Sequence, residues 1–218
     1  MKNKLPLILI GLCALVAGII VSAQFSNSSA GNDKQDLAQL QSTLKTSVAL
    51  PLDFKQVPDF QLQDVNGAPL TQAVFEDHWS VVFFGYTHCP DVCPITLQVM
   101  KNVVKKLTEE GKEAPQVVFV TVDPIRDTAE IMKNYISFFS EDFVGITGEL
   151  NDVHAVTKTL GIVASFTANK EDPDNYIVDH TASLLLIDPE KRVRAKISPP
   201  HVADTIAEDF LAIIAASR

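Results

Sequence analysis

The sequence predicts an α/β domain built on a sheet whose central strands are buried on both faces. Two continuous apolar runs, SVVFFGY at 80–86 and VVFVTVD at 117–123, are typical of such strands. Residues at helical spacing follow each run, and strands that alternate with helices indicate parallel βαβ units. The chain has 218 residues, of which 46% are hydrophobic, and that is enough to bury one ordinary core.

A β-hairpin is expected ahead of the first buried strand. The segment DFQLQDVNGAPLT alternates apolar and polar residues around Asn66-Gly67. The tightest hairpin turns need positive φ at both central residues, and Asn and Gly tolerate this conformation best. The hairpin would therefore form an N-terminal extension of the sheet.

Helices are predicted after both buried strands. The first follows the run at 80–86 and is closed by Gly111, since glycine accepts the left-handed conformation at a helix end. The second is expected at 128–139. Asp127 is its candidate N-cap, because Glu130 follows at the spacing of a capping box.

The remaining elements complete a known order. FVGITG predicts a strand, LNDVHAVTKTLG a helix, and a further strand is expected near 162–167. SLLLIDP and VRAKIS then predict a hairpin, and an apolar stripe predicts a last helix at 201–216. A hairpin, a βαβ unit, a closing hairpin and a helix are the order of a thioredoxin-like fold. Its active-site corner would lie outside the carboxyl end of the first buried strand.

The N-terminal segment predicts membrane targeting. Residues 5–23 are 19 uncharged residues, close to the ~20 that span a bilayer. Basic residues before this run favour a cytoplasmic N-terminus, which would place the folded part on the extracytoplasmic, periplasmic side. We favour an uncleaved transmembrane helix because the run is long for a signal peptide. A signal peptide cleaved after Val21-Ser22-Ala23 remains the alternative.

Three regions are therefore expected along the chain. They are a membrane anchor or signal segment at 1–23, a polar linker at 24–50, and a thioredoxin-like domain at 51–218. The formal net charge of −9 argues against nucleic acid as a main partner, because phosphate binding needs a basic face.

The chemistry centres on two cysteines in FFGYTHCPDVCPITL. Cys89 and Cys93 are four residues apart at the predicted start of a helix. Side chains at that spacing lie on one helix face, roughly 5–6 Å apart, and a helix N-terminus lowers the pKa of a thiol. Two roles stay open: a redox-active disulfide between the two cysteines, and a metal site that both sulfurs share.

His180 is the candidate third ligand. It lies in NYIVDHTASLLLID, just before a strand expected near the centre of the sheet. Thioredoxin-like enzymes carry a cis-proline there, packed against the cysteines, so a histidine at this place would point at the sulfurs. A structural role is the alternative for His180, and we interpret the other four histidines as non-ligands: His78, His88, His154 and His201.

Two thiolates and one imidazole form a soft donor set. Such donors select Cu(I) and Zn, while imidazole suits both Zn and Cu. Structural zinc takes four ligands, and the sequence offers no convincing fourth. The donor set therefore favours copper.

Three segments together are similar to a known family. FFGYTHCPDVCPITL, VVFVTVDPIRDT and YIVDHTASLLLID occur in the order found in Sco/SenC proteins, and the similarity spans about residues 52–217. The resemblance implies a membrane-tethered, thioredoxin-fold copper protein that helps to assemble the binuclear copper centre of cytochrome c oxidase. It also implies that Cys89, Cys93 and His180 bind the copper ion and that Asp123 supports the site.

These patterns predict two alternative functions. The first is a copper metallochaperone, not an enzyme, that binds Cu(I) or Cu(II) and supplies the copper-accepting subunit of cytochrome c oxidase. The second is a membrane-tethered thiol–disulfide oxidoreductase that keeps partner cysteines reduced. Copper loading needs reduced cysteines, so a thioredoxin-like reductant and a copper donor are expected partners.

Overall fold

The computed structural model describes residues 34–167 and 176–217. Its strands, in chain order, are β1 Ser47–Ala49, β2 Leu62–Asp64, β3 Pro69–Leu70, β4 Ser80–Gly85, β5 Gln116–Thr121, β6 Val144–Thr147, β7 Ala164–Thr167, β8 Ile177–His180, β9 Leu184–Ile187 and β10 Val193–Ile197. Eight of them form one mixed sheet in the order β1-β10-β9-β4-β5-β6-β2-β3. The other two, β7 and β8, form a separate two-stranded sheet.

Helices connect the strands as the sequence predicts. Helix α1 covers 34–43, and the others are α2 Val92–Glu109, α3 Ala129–Ser137, α4 Leu150–Thr159 and α5 Ala203–Ala216. Helix α2 packs against α5, and α3 packs against β6. A short 3-10 turn at Gln72–Phe75 leads from the hairpin to β4.

The central strands of the sheet are buried on both faces. All six residues of β4 are buried; the strand pairs in parallel with β5 and antiparallel with β9. Phe83, Phe84 and Phe119 have no exposed surface, and the Phe83 and Phe119 rings lie 5.8 Å apart. The continuous apolar runs therefore predicted the central strands correctly.

The predicted N-terminal hairpin is confirmed. Strands β2 and β3 pair antiparallel, and β2 also pairs with β6, so the hairpin forms one edge of the sheet. The Asp64 carboxylate accepts hydrogen bonds from the backbone N–H groups of Asn66 and Ala68. Gly67 has a φ of 77°, which glycine adopts without strain.

The folded region begins before the predicted boundary at residue 51. Strand β1 lies within the segment interpreted as linker, and it pairs antiparallel with β10 at the opposite edge of the sheet. One carboxylate holds it there. Asp209 of α5 is 1% exposed and accepts hydrogen bonds from the N–H groups of Lys45, Thr46 and Ser47 at 2.8, 3.0 and 2.8 Å.

The predicted N-cap of α3 was wrong by one residue. Thr128 is the cap, and its hydroxyl accepts a hydrogen bond from the N–H of Ile131 at 3.4 Å. Asp127 is instead fully buried beneath the neighbouring loop. The spacing to Glu130 favoured Asp127, but its carboxylate accepts hydrogen bonds from Thr87 and Thr121 and so is not available to cap the helix.

The predicted membrane-spanning segment at 5–23 lies outside the described residues. Within 34–167 and 176–217, none of the helices combines the length and the apolar character needed to cross a bilayer.

Loss of the Asp209 carboxylate should loosen the β1 edge. In Asp209→Asn the three N–H groups lose a charged acceptor, and we expect a loss of about 2 kcal/mol in the free energy of unfolding at neutral pH. Urea denaturation measures it, with Asp204→Asn as control because Asp204 is an exposed residue of the same helix that pairs with Lys106.

The same carboxylate should make stability depend on acid pH. Burial acts to raise the pKa of Asp209, but the N–H donors of Lys45, Thr46 and Ser47 outweigh it and hold the pKa below 3.8. A carboxylate with a lowered pKa stabilises the fold above its unfolded pKa, and this contribution is lost as pH falls through the folded pKa. The stability difference between wild type and Asp209→Asn should therefore shrink below about pH 4. A difference independent of pH would contradict this role for the charge.

Candidate metal centre

The two cysteines lie where β4 ends and α2 begins. Cys93 occupies the first turn of α2 and has no exposed surface, whereas Cys89 is 9% exposed in the loop before it. Gly85, the last residue of β4, makes room for them. A Cβ atom at this position would lie 2.7 Å from the Cys93 Sγ and 2.8 Å from the Phe119 ring. Glycine is therefore required for the packing of Cys93.

A buried carboxylate holds the loop that carries Cys89. Asp127 accepts hydrogen bonds from the N–H and the hydroxyl of Thr87 and from the hydroxyl of Thr121. Burial raises the pKa of Asp127 even though these donors favour its charged form. The carboxylate thus joins the cysteine loop to the end of β5. Sequence reasoning missed this role, although Asp127 does follow a buried strand at the sheet edge where the cysteines were expected.

His180 approaches the cysteines from the other side. It is the last residue of β8, and its Nε2 lies 3.4 Å from the Cys93 Sγ. The Nδ1 lies 3.2 Å from the carbonyl oxygen of Thr181. That contact assigns the proton to Nδ1 and leaves the Nε2 lone pair directed at the sulfurs, the arrangement usual for metal-binding histidines.

Three predicted site residues meet in one place. The ligand atoms of Cys89, Cys93 and His180 all lie within 4.8 Å of one another. In the described part of the chain, no other group of three or more Cys, His, Asp or Glu side chains has this property. Both cysteines are free thiols. The predicted disulfide between them therefore remains a prediction for an oxidised state.

The two thiols differ in acidity. The Cys93 thiol donates a hydrogen bond to Cys89 and lowers the pKa of Cys89 to about 3, although burial opposes this shift. The backbone N–H groups of Asp91 and Cys93, at the start of α2, lower it further. The same hydrogen bond and burial raise the pKa of Cys93. The pair therefore holds one proton on Cys93 and one negative charge on Cys89.

Asp123 does not join the sulfurs. It is fully buried, and its carboxylate accepts hydrogen bonds from Arg126 Nε at 2.5 Å and from the Tyr176 hydroxyl at 2.7 Å. Tyr176 is the residue just before β8. Asp123 therefore contacts the segment that leads to His180 and not the sulfurs, and its supporting role remains a prediction.

The sequence and the fold are similar to those of known proteins. A family model described as SCO1/SenC matches residues 50–215, about three quarters of the chain. The chain belongs to the SCO1/SenC family. The predicted resemblance is thereby confirmed.

Individual members of this family show the same likeness. The chain is 35% identical over 161 residues to the mitochondrial protein SCO2 homolog of Bos taurus; the match covers 73% of this chain but only 60% of the bovine protein. The structure of Bradyrhizobium japonicum ScoI with copper bound is 32% identical, with a TM-score of 0.64 over 72% of this chain and 98% of that one. Arabidopsis thaliana ScoI with copper bound is 26% identical, with a TM-score of 0.70 over 74% and 99%. The thioredoxin-like α/β fold is confirmed.

The shared proton predicts an unusual pH profile for Cys89. With its pKa near 3, Cys89 stays ionised, so its alkylation rate should change little between about pH 5 and pH 8, where an ordinary thiol becomes steadily more reactive. In Cys93→Ala the stabilising hydrogen bond is gone, and the profile should move to higher pH. Iodoacetamide kinetics followed by mass spectrometry measure this, and an ordinary thiol profile in the wild type would contradict the assignment.

Gly85→Ala should disturb the thiol pair specifically. The added methyl must displace the Cys93 Sγ or the Phe119 ring, so we expect about 1–3 kcal/mol of destabilisation together with a raised Cys89 pKa. Gly145→Ala is the matched control. Its added Cβ would crowd Val65 and Ile136 and would not meet either cysteine. It should destabilise the protein to a similar degree and leave Cys89 alkylation unchanged. Equal effects of both variants on Cys89 would show that general loosening is responsible.

Proposed function

We propose that this protein is a copper metallochaperone that binds Cu(I) or Cu(II) through Cys89, Cys93 and His180. The observation that carries the proposal is the convergence of these two sulfurs and one imidazole nitrogen within 4.8 Å. The copper ion is cargo here: it is bound, carried and released.

The donor set suits copper better than its common competitors. Soft sulfur ligands select Cu(I) and disfavour Mg²⁺ and Ca²⁺, which prefer oxygen. Structural zinc takes four protein ligands, and only three converge in the described part of the chain. Two relatives with copper-bound structures, from Bradyrhizobium japonicum and Arabidopsis thaliana, support the same choice.

Loading requires a change in protonation at the cysteines. Thiolate is the form that binds metal, and Cys89 already carries the charge that attracts a cation. Cys93 loses its proton when the ion arrives, so binding releases one proton from the pair. The imidazole presents its Nε2 to the sulfurs, while its Nδ1 donates to the Thr181 carbonyl oxygen.

The different burial of the donors favours a stepwise release. Cys93 is fully buried, whereas Cys89 is slightly exposed and His180 is half-buried. A sulfur or nitrogen ligand of a recipient protein would reach the ion from the side of Cys89 and His180. Cys93 would then be the last donor to release the copper ion.

The recipient and the location are inferred from the resemblance and the N-terminal sequence. The Sco/SenC resemblance supports the copper-accepting subunit of cytochrome c oxidase as recipient. The uncharged run at 5–23, preceded by lysines, supports a membrane anchor with the folded domain on the periplasmic side. A thioredoxin-like reductant would keep the cysteines reduced, because copper loading needs the free thiols.

Replacement of His180 is the sharpest test of the ligand set. We expect His180→Ala to weaken Cu(II) binding by more than the roughly 10- to 100-fold that loss of an outer partner costs a metal site. Cu(I) binding should suffer less, because both thiolates remain. Competition titrations with chelators, together with electron paramagnetic resonance of the Cu(II) form, measure both effects.

The control is His78→Ala. His78 lies before β4, at the end of the strand opposite the cysteines, and its Nε2 contacts Gln116, so this variant should bind copper as the wild type does. Metal-depleted protein should also be assayed for reduction of a protein disulfide. Turnover that survives His180→Ala, in a protein that binds no stoichiometric copper, would favour the thiol–disulfide oxidoreductase and contradict the metallochaperone.

A further inference from the structure

The ligand His180 stands on an element with little backbone support. Strands β7 and β8 pair only with each other, from Ala164 opposite His180 to Thr167 opposite Ile177. Within the described residues, neither strand joins the ladder of the eight-stranded sheet that leads to Cys89 and Cys93. Three residues connect His180 to β9 of that sheet, and side-chain contacts supply the remaining restraint on where His180 lies relative to the sulfurs.

Arg126 makes the central contact between this hairpin and the sheet. Its Nη1 donates a hydrogen bond to the carbonyl oxygen of Tyr176 at 2.9 Å, immediately before β8. Its guanidinium also lies 3.6 Å from the centre of the Tyr176 ring and 5.6 Å from that of the Tyr86 ring. Arg126 thus sits between a residue of the cysteine loop and a residue of the hairpin.

Both partners of Arg126 are themselves anchored. The Asp123 carboxylate accepts one hydrogen bond from the Arg126 Nε and another from the Tyr176 hydroxyl. The Tyr86 hydroxyl accepts a hydrogen bond from the N–H of Val178, in the middle of β8, at 3.4 Å. The Tyr86 ring meets the His180 ring edge-on, with centroids 5.8 Å apart.

We propose that Arg126 is a positioning residue for His180: by clamping Tyr176 and Tyr86 it holds the β7–β8 hairpin over the cysteines. The inference rests on the proposed function. Arg126 would affect copper binding by positioning the ligand His180, without touching the metal itself. A planar guanidinium stacks on a ring while it hydrogen-bonds through its edge, which a lysine ammonium cannot do. The clamp is therefore specific to arginine.

The effect of Arg126 should depend on His180. We expect Arg126→Gln to weaken Cu(II) binding by roughly tenfold or more, as loss of other outer supports does, and to change the nitrogen coupling in the Cu(II) spectrum. In a His180→Ala background the same substitution should change Cu(II) affinity little, because the ligand that it positions is gone. Arg126→Lys should resemble Arg126→Gln.

Arg192 offers a matched control. Its Nε pairs with the buried Asp188 at 2.7 Å, much as Arg126 pairs with Asp123, but it lies in the β9–β10 turn. Arg192→Gln should leave Cu(II) affinity and spectrum unchanged. Equal losses for Arg126→Gln in the wild-type and His180→Ala backgrounds would overturn the positioning role, and so would unchanged copper binding in a folded Arg126→Gln protein.

A readout without copper separates this inference from the proposed function. In metal-free wild-type protein, nuclear Overhauser contacts should connect the His180 and Tyr86 rings, and they should weaken in Arg126→Gln. Contacts of undiminished strength would overturn the inference even if copper binds. If Arg126→Gln does not fold, Tyr176→Leu removes the stacked ring and its hydroxyl and should give the same losses. A wild-type protein that binds no copper would instead overturn the proposed function, while the ring contacts still decide the positioning role.

Discussion

The candidate centre depends on the short segment between β5 and α3, because both halves of the site are attached to it. Its buried Asp127 carboxylate receives the hydrogen bonds of Thr87 and so fixes the cysteine loop. Its Asp123–Arg126 pair reaches Tyr176 and so fixes the approach to His180. Buried charges are costly unless they are fully paired and hydrogen-bonded. The partners that hydrogen-bond to these charges therefore also define where the two halves of the site lie.

The rigid core of the sheet makes this arrangement precise on the cysteine side. Strand β4 is buried throughout and runs between β5 and β9, so the turn that follows it begins from a fixed point. The absence of a side chain at Gly85 lets Cys93 pack at the end of that strand. On the histidine side, β8 pairs only with β7 among the described residues, and stacking and hydrogen bonds through side chains link this pair to the rest of the site. The site thus combines a firmly held sulfur pair with a nitrogen ligand held by fewer contacts.

The chemistry of the sulfur pair follows from burial and from the helix N-terminus. One thiol is deeply buried and keeps its proton, while the other faces the N–H groups at the start of α2 and carries the charge. A single negative charge beside a free imidazole lone pair attracts a soft cation without the repulsion of two thiolates. This asymmetry suits reversible loading, since the second proton leaves only when a cation takes its place.

The sequence by itself determined the elements whose cause is local. Continuous apolar runs predicted the buried strands, Asn66-Gly67 predicted the hairpin turn, and the spacing of Cys89 and Cys93 predicted that the two sulfurs lie close together. The expected placement of both cysteines on one helix face was wrong, because Cys89 lies in the loop before α2. Motifs in order also indicated the family and His180 as a candidate ligand. Only the tertiary structure decided the role of Asp127, the attachment of β1 through Asp209, and the separate β7–β8 hairpin clamped by Arg126. These features join residues about 40 to 160 positions apart, and no local pattern of hydrophobicity or turn residues encodes such contacts.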